Sequence, residues 1–232
     1  MGYNLRSPLF DSVSVRQALS YAIDRQSIID GIVLGIGRPC TGPYAHVSWA
    51  YNPNARKYDH DPERARRMLA EAGWSDQNND GILEKDGKTF RFTIITNQGN
   101  NERIRTAEII QQNLKAIGVD AIIRVMEWQA FLEQIDKRSF DAMILGWSMS
   151  RDPDLYDIWH SSKTKKGEYN FISYKNAEVD RLLVQGRRTF DVEKRKKIYY
   201  RIHEILAEEQ PYAFLYVPDA TPIVHKRFKG IE

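Results

Sequence analysis

Two serines, a histidine–glutamate pair and a run of acidic side chains are the residues of this 232-residue chain whose types and spacing could do chemistry. Gly146-Trp147-Ser148-Met149-Ser150 opens like a nucleophile elbow, but Ser150 stands where the closing glycine belongs. With His160 and an aspartate, Ser148 or Ser150 would make a serine hydrolase, yet no oxyanion loop is evident. His203-Glu204 falls on a helical segment as in a zinc protease, and Ala207 occupies the position of the second ligand. The other histidines are 46, 60, 160 and 225, and no pair has the spacing of a helical metal site. Each of the five reads as a surface or capping residue. Gly35-Ile36-Gly37 lacks the third glycine and the preceding strand of a dinucleotide fingerprint.

The strongest local pattern is Asp76-Gln77-Asn78-Asn79-Asp80-Gly81. It matches the start of a calcium loop, with Asp76, Asn78 and Asp80 as oxygen ligands, the Ile82 carbonyl next, and Glu84 at the ninth position. Gly87 stands at the twelfth, where a bidentate glutamate is needed, and a strand follows in place of a helix. The competing reading is an Asx-rich turn with glycine in a left-handed position. No metal is expected as a fixed ligand, and a calcium-regulated module is kept as an alternative.

These residues need elements to hold them, and the composition supplies an ordinary globular chain. Hydrophobic residues make up 42% and charged residues 28%, enough for one large domain or two small ones. Lys plus Arg number 34 and Asp plus Glu 31, interleaved with no basic stripe, so no nucleic-acid partner is expected. No apolar run reaches the length of a membrane span, and no apolar segment follows Met1-Gly2 as in a signal peptide. Met1-Gly2 reads as a remnant of cloning. Cys40 is the single cysteine, so an intrachain disulfide and a cysteine zinc cluster are excluded.

Apolar spacing at Val15, Ala18, Leu19, Ala22 and Ile23 predicts a helix over residues 13–30. A loop-rich stretch follows over residues 31–60. Asp61-Pro62-Glu63 then opens a second helix, which Gly73 ends. Strands are predicted over residues 90–96, 119–126 and 141–147, with a helix between the first two and a short one around Phe131. Helices follow over residues 176–189 and from Asp191 to Pro211, then strands over 213–217 and 223–226. Strand, helix and strand in alternation argue for an α/β unit with parallel pairing, and no linker divides the chain.

Several segments in order resemble the family 5 extracellular solute-binding proteins, the peptide and nickel receptors of ABC importers. They are Val15-Arg16-Gln17-Ala18-Leu19-Ser20-Tyr21-Ala22-Ile23-Asp24-Arg25, the 61–74 segment ending Leu-Ala-Glu-Ala-Gly-Trp, and the Asp/Asn/Gly loop before a strand. Gly118-Val119, Gly146-Trp147 with Asp152-Pro153, and Asn176-Ala177-Glu178-Val179-Asp180 complete the set. The resemblance implies a periplasmic-binding-protein-like α/β lobe with a mixed, largely parallel sheet flanked by helices. Family members are about twice this length and close two lobes on a ligand. Residues 1–232 would then be the second lobe alone, ending near Phe228 where the chain returns to the first.

The resemblance further implies no enzyme, no cofactor, an ABC permease as partner and a periplasmic or extracytoplasmic location. Ligand contact would fall on loops after the parallel strands: Asn97, Gln98 and Asn100, then Trp147, Ser148, Met149, Ser150, Arg151 and Asp152. Dipeptide-binding members carry an arginine aligned with Asn97 and an aspartate aligned with Ser150. This chain has neither, so the clamp for a short zwitterion is gone and a longer peptide held by its backbone is expected, with a sugar, an opine or a metal chelate kept as the alternative. Trp147 reads equally well as a cover for the sheet end, and Asp152 as a turn residue before a helix at 155–159.

Overall fold

The computed structural model describes residues 1–219 together with His225, Arg227, Lys229 and Gly230. In chain order the elements are β1 (Gly2–Tyr3), a 3₁₀ turn (Pro8–Phe10), α1 (Val13–Ala22), α2 (Arg25–Ile32) and β2 (Gly37–Pro39). Next come α3 (Pro62–Glu71), β3 (Glu84–Lys85), β4 (Lys88–Thr89), β5 (Arg91–Asn97), α4 (Asn101–Lys115) and β6 (Asp120–Met126). The chain continues through α5 (Trp128–Asp136), β7 (Ala142–Met143), α6 (Tyr156–Trp159), α7 (Ala177–Arg188), α8 (Val192–Glu209) and β8 (Tyr216–Pro218).

The central sheet has the order β1-β7-β5-β6, with β5 parallel to both neighbours and β1 antiparallel at the edge. This is the mixed, largely parallel α/β arrangement expected. Strand alternation divides its side chains between two cores. Phe92, Ile94, Ala142 and Ile144 face a core with α1, α3 and α4, built on Leu19, Leu69, Ile110 and Leu114. Ile95 and Met143 face the other, with Phe131, Leu183, Tyr199 and Leu206 of α5, α7 and α8.

The helix expected over residues 13–30 is two helices. Asp24 breaks it by turning extended and accepting from the Ser27 N–H at 3.0 Å, which caps α2. Arg25 then goes into the core, donating to the carbonyls of Ser20 (2.9 Å), Ile23 (3.3 Å), Tyr58 (3.0 Å) and Phe214 (2.6 Å). Ser20 and Ile23 are among the carbonyls that the end of α1 leaves open. Asp61 and Asp191 cap their helices as the sequence suggests, and Asn176 and Asn100, the latter expected at the ligand, cap theirs as well. Gly118 closes the turn after α4 at φ +80°, and a Cβ there would meet Leu83 at 2.8 Å.

Three further expectations are corrected. The strand over residues 141–147 is a ladder of two residues with one added bond, Ile144 N–H to the Ile95 carbonyl at 3.0 Å. Beyond it the chain leaves the sheet for the site below. Met1 and Gly2, expected to be a remnant of cloning, are packed: Gly2 pairs with Met143, and Met1 exchanges backbone hydrogen bonds of 2.8 Å with Ala213. That pairing takes up Ala213, so the strand expected over 213–217 begins at Tyr216 and joins β2, in a stretch expected to be loop. The strand expected over 223–226 lies, but for His225, outside the described residues.

Candidate functional site

Because β5, β6 and β7 run parallel, their carboxyl ends share one edge of the sheet. There the chain after β7 runs out through residues 146–151 before turning at Asp152. None of the backbone N–H groups of residues 146–151 has a hydrogen-bond partner among the described residues. One side of this run is aromatic: Trp147 stacks on Phe171 at 5.7 Å and 8°, with Tyr169 edge-on to both. Arg138 fixes Phe171 from behind, its guanidinium 5.5 Å from the ring centre and bonded to the carbonyls of Thr164, Lys165 and Glu168.

On the other side is a pocket of about 410 Å³. Met149, Ser150, Arg151 and Pro153 form one wall, and Pro43, Tyr44, Ala45, Val47, Ser48 and Trp49 the other. Val47 is 83% exposed and Met149 41%, large apolar side chains held open to solvent. Arg151 brings a guanidinium that has no hydrogen bond or ion pair among the described residues. The second wall went unseen in the sequence, where residues 31–60 read only as loop. Val47 and Trp49, large apolar residues in a stretch without periodicity, are the only signal the sequence offered there.

The structure separates the other predicted residues. Asp152 is held by Arg195 in a two-pronged pair at 2.8 and 2.9 Å, and this holds its carboxyl below the ordinary range. Its Oδ1 also accepts from the Asp154 N–H at 3.0 Å, the turn role anticipated for it. Arg195 in turn lies 5.7 Å from the Trp49 ring centre, which ties the two walls together. Asn100 caps α4, and Asn97 is largely buried, accepting from Arg103 at 2.7 Å. Gln98 is exposed. The 97–100 loop therefore flanks the site without lining the pocket. Ser148 is exposed and Ser150 donates to the Asp152 carbonyl at 2.7 Å.

Hydrolase geometry is not assembled among the described residues. His160 has its Nδ1 2.8 Å from Ser162 Oγ, and the same nitrogen accepts the Ser162 N–H at 3.1 Å. Its lone pair closes a turn, and neither Ser148 nor Ser150 bonds to it. The Asp76–Gly81 stretch gathers Asp76, Asp80 and Glu84 oxygens within 4.8 Å of one another. Each is already engaged: Asp76 accepts from Gly81 N–H (2.9 Å), Asp80 from Ile82 N–H (2.8 Å), and Glu84 from Gln77 N–H (2.9 Å) and the Asn78 amide (3.1 Å). Asn78 accepting the Asp80 N–H at 2.8 Å and Asp80 accepting the Ile82 N–H are two successive Asx turns, as in the competing reading of that motif. A hollow of about 390 Å³ between α7 and α8 is lined by paired charges, Arg201 with Glu178 and Arg56 with Glu208.

His203 is corrected most. Expected at the surface, it is fully buried, its Nδ1 accepting the Asn52 N–H at 3.0 Å and its Nε2 3.1 Å from Thr41 Oγ1. Burial pushes its imidazole down to about 4, so it is neutral near pH 7 with the proton on Nε2.

A lobe with open aromatic and apolar walls at the carboxyl edge of parallel strands is the architecture of a solute-binding protein. The chain belongs to the bacterial extracellular solute-binding proteins of family 5: residues 1–169 match the description "family 5 Middle". It is 44% identical over 234 residues to the oligopeptide-binding protein AppA of Bacillus subtilis strain 168, covering 99% of this chain and 43% of the relative. The structure of Bacillus subtilis AppA in complex with a nonapeptide superposes with a TM-score of 0.89 at 45% identity, over 94% of this chain and 44% of that one. NikZ from Campylobacter jejuni in complex with Ni(L-His) gives 0.87 at 31% identity, over 94% and 44%. The chain thus spans less than half the length of these relatives.

Proposed function

We propose that this chain is one ligand-binding lobe of an oligopeptide receptor that delivers its cargo to an ABC permease outside the cytoplasmic membrane. The observation that carries the reading is the run of unpaired backbone amides at residues 146–151, set between Trp147 on one side and the apolar pocket on the other. An extended peptide satisfies such amides with its own carbonyls while its side chains enter the flanking pockets. The lobe's role is binding, as in the solute-binding proteins it is similar to, and neither Ser148 nor Ser150 bonds to a histidine among the described residues. A first lobe, corresponding to sequence that the relatives have and this chain does not span, supplies the opposing wall. Among the described residues no helix is long and apolar enough to cross a membrane.

The likeness to a peptide-bound relative at 44–45% identity favours peptide over the alternatives of sugar, opine or metal chelate. The missing clamp residues at Asn97 and Ser150 favour a longer peptide over a dipeptide. The test is acid release of the cargo that co-purifies with the receptor extended to its relatives' length, followed by mass spectrometry. A ladder of peptides longer than two residues is the expected result. A metal chelate or a sugar in their place refutes the peptide assignment.

A further inference from the structure

The second wall of the pocket has no secondary structure of its own; Tyr44 and Trp49 pack on Tyr199 of α8, and the two ends of the stretch are hydrogen-bonded to one ring on the same helix. Asn52 N–H and Thr41 Oγ1, at the two ends of the stretch that carries residues 43–49, both bond to the ring of His203 on α8. Gly42 presses against the same ring: a Cβ there would lie 2.3 Å from His203 Cδ2 and 2.4 Å from Nε2. Tyr44 and Tyr51 pack edge-on to the imidazole at 5.8 and 5.2 Å. The Asn52 amide continues the attachment to Glu204 at 2.9 Å. A histidine pair-like sequence that resembled half a metal site is thus a fastening.

We propose that His203, seated against Gly42, is a positioning residue that sets where the 43–49 wall stands and so decides which peptide side chain the pocket accepts. The inference rests on the peptide-receptor reading. Its physical basis is that pocket selectivity depends on placement of the wall to within a fraction of an ångström. The wall has no ladder of hydrogen bonds to hold it there. Met149 and Arg151 on the opposite wall stand on a separate segment, so a shift of residues 43–49 changes the pocket's width. A wide apolar pocket favours a large aromatic or branched aliphatic side chain over glycine. Loss of the fastening reduces that preference before it abolishes binding.

The experiment is an NMR titration of the 232-residue chain, which tolerates weak binding. Hexapeptides that differ at one central position, phenylalanine, leucine or glycine, are added while the Trp49 and Trp147 indole N–H signals are followed. The parent is expected to favour phenylalanine or leucine over glycine. His203→Ala and Gly42→Ala are expected to move the Trp49 signal, leave the Trp147 signal in place and reduce the preference by about fivefold or more. His203→Asn restores an acceptor near Nδ1 and is expected to keep most of the preference. His203→Gln restores only the Thr41 side and is expected to keep less, a readout that serves if the alanine variants fail to fold. Equal preference in the parent and all folded variants, with Trp49 unmoved, overturns the inference alone. Absence of any peptide-induced shift in the parent at peptide concentrations well above millimolar overturns this inference, whereas the peptide reading falls only if the cargo of the extended receptor is not peptide.

Discussion

Two loops of equal length, residues 41–52 and residues 76–87, are built on opposite plans. The first carries Tyr44, Trp49 and Tyr51 with a single glycine, the second five Asp and Asn residues with two, and both lack regular structure over most of their length. The second satisfies itself: Asp76, Asn78 and Asp80 each accept from an amide no more than five residues away. The first is satisfied from afar, since Asn52 and His203 are 151 residues apart. A self-contained loop keeps its shape whatever packs beneath it. A loop held by one buried ring depends on the protonation and the volume of that ring. The difference assigns the 41–52 loop to the site and leaves the 76–87 loop as an exposed turn.

Acid is the strongest way to break this contrast. His203 titrates at about 4 in the fold against an ordinary 6.5, so the unfolded chain binds the proton more readily. Its contribution to stability is complete above about pH 6.5 and is lost as pH falls toward 4, about 3 kcal/mol in all. Urea unfolding at stepped pH is expected to show this limb in the parent and a shallower one in His203→Asn. Next comes volume. Gly42→Ala places a methyl against the imidazole and is expected to lower stability by about 2 kcal/mol in the same assay.

Smaller effects are expected at the binding face. In the extended receptor, Trp147→Ala and Arg151→Ala should each weaken peptide binding by about 1 kcal/mol, measured by calorimetry. Ser150→Asp should shift preference toward ligands with a free amine, because it places an anion beside the unpaired amide run. The smallest effect belongs to the self-contained loop. Asp76→Asn with Asp80→Asn is expected to change stability by no more than about 0.5 kcal/mol, with or without added calcium. A large loss that calcium reverses in the parent would make that loop a metal site.

The helix caps and the parallel core were legible in the sequence because they rest on local rules. Asp61 and Asp191 bond to amides three residues away, and the alternation of β5 follows from strand geometry alone. The break at Asp24 was hidden because apolar spacing runs through it. What ends α1 is the demand of the buried Arg25 for carbonyls at Ile23, Tyr58 and Phe214. Half of the pocket was legible as the chain after β7. The other half was not, since nothing near Gly42 or Trp49 in sequence announces α8 as its support. His203 was misplaced at the surface for the same reason: its partners are Thr41 and Asn52.

The central claim is that this chain forms one wall of a two-walled peptide site. Calorimetry of one defined oligopeptide, titrated into the 232-residue chain and into the receptor extended to its relatives' length, tests it most directly. Affinity of such sites comes from burying the ligand between both walls and excluding water. The account predicts millimolar binding or weaker for the chain and micromolar for the extended receptor, a difference of at least about 4 kcal/mol. Micromolar binding by the chain alone would contradict it, because the whole site would then lie within this lobe.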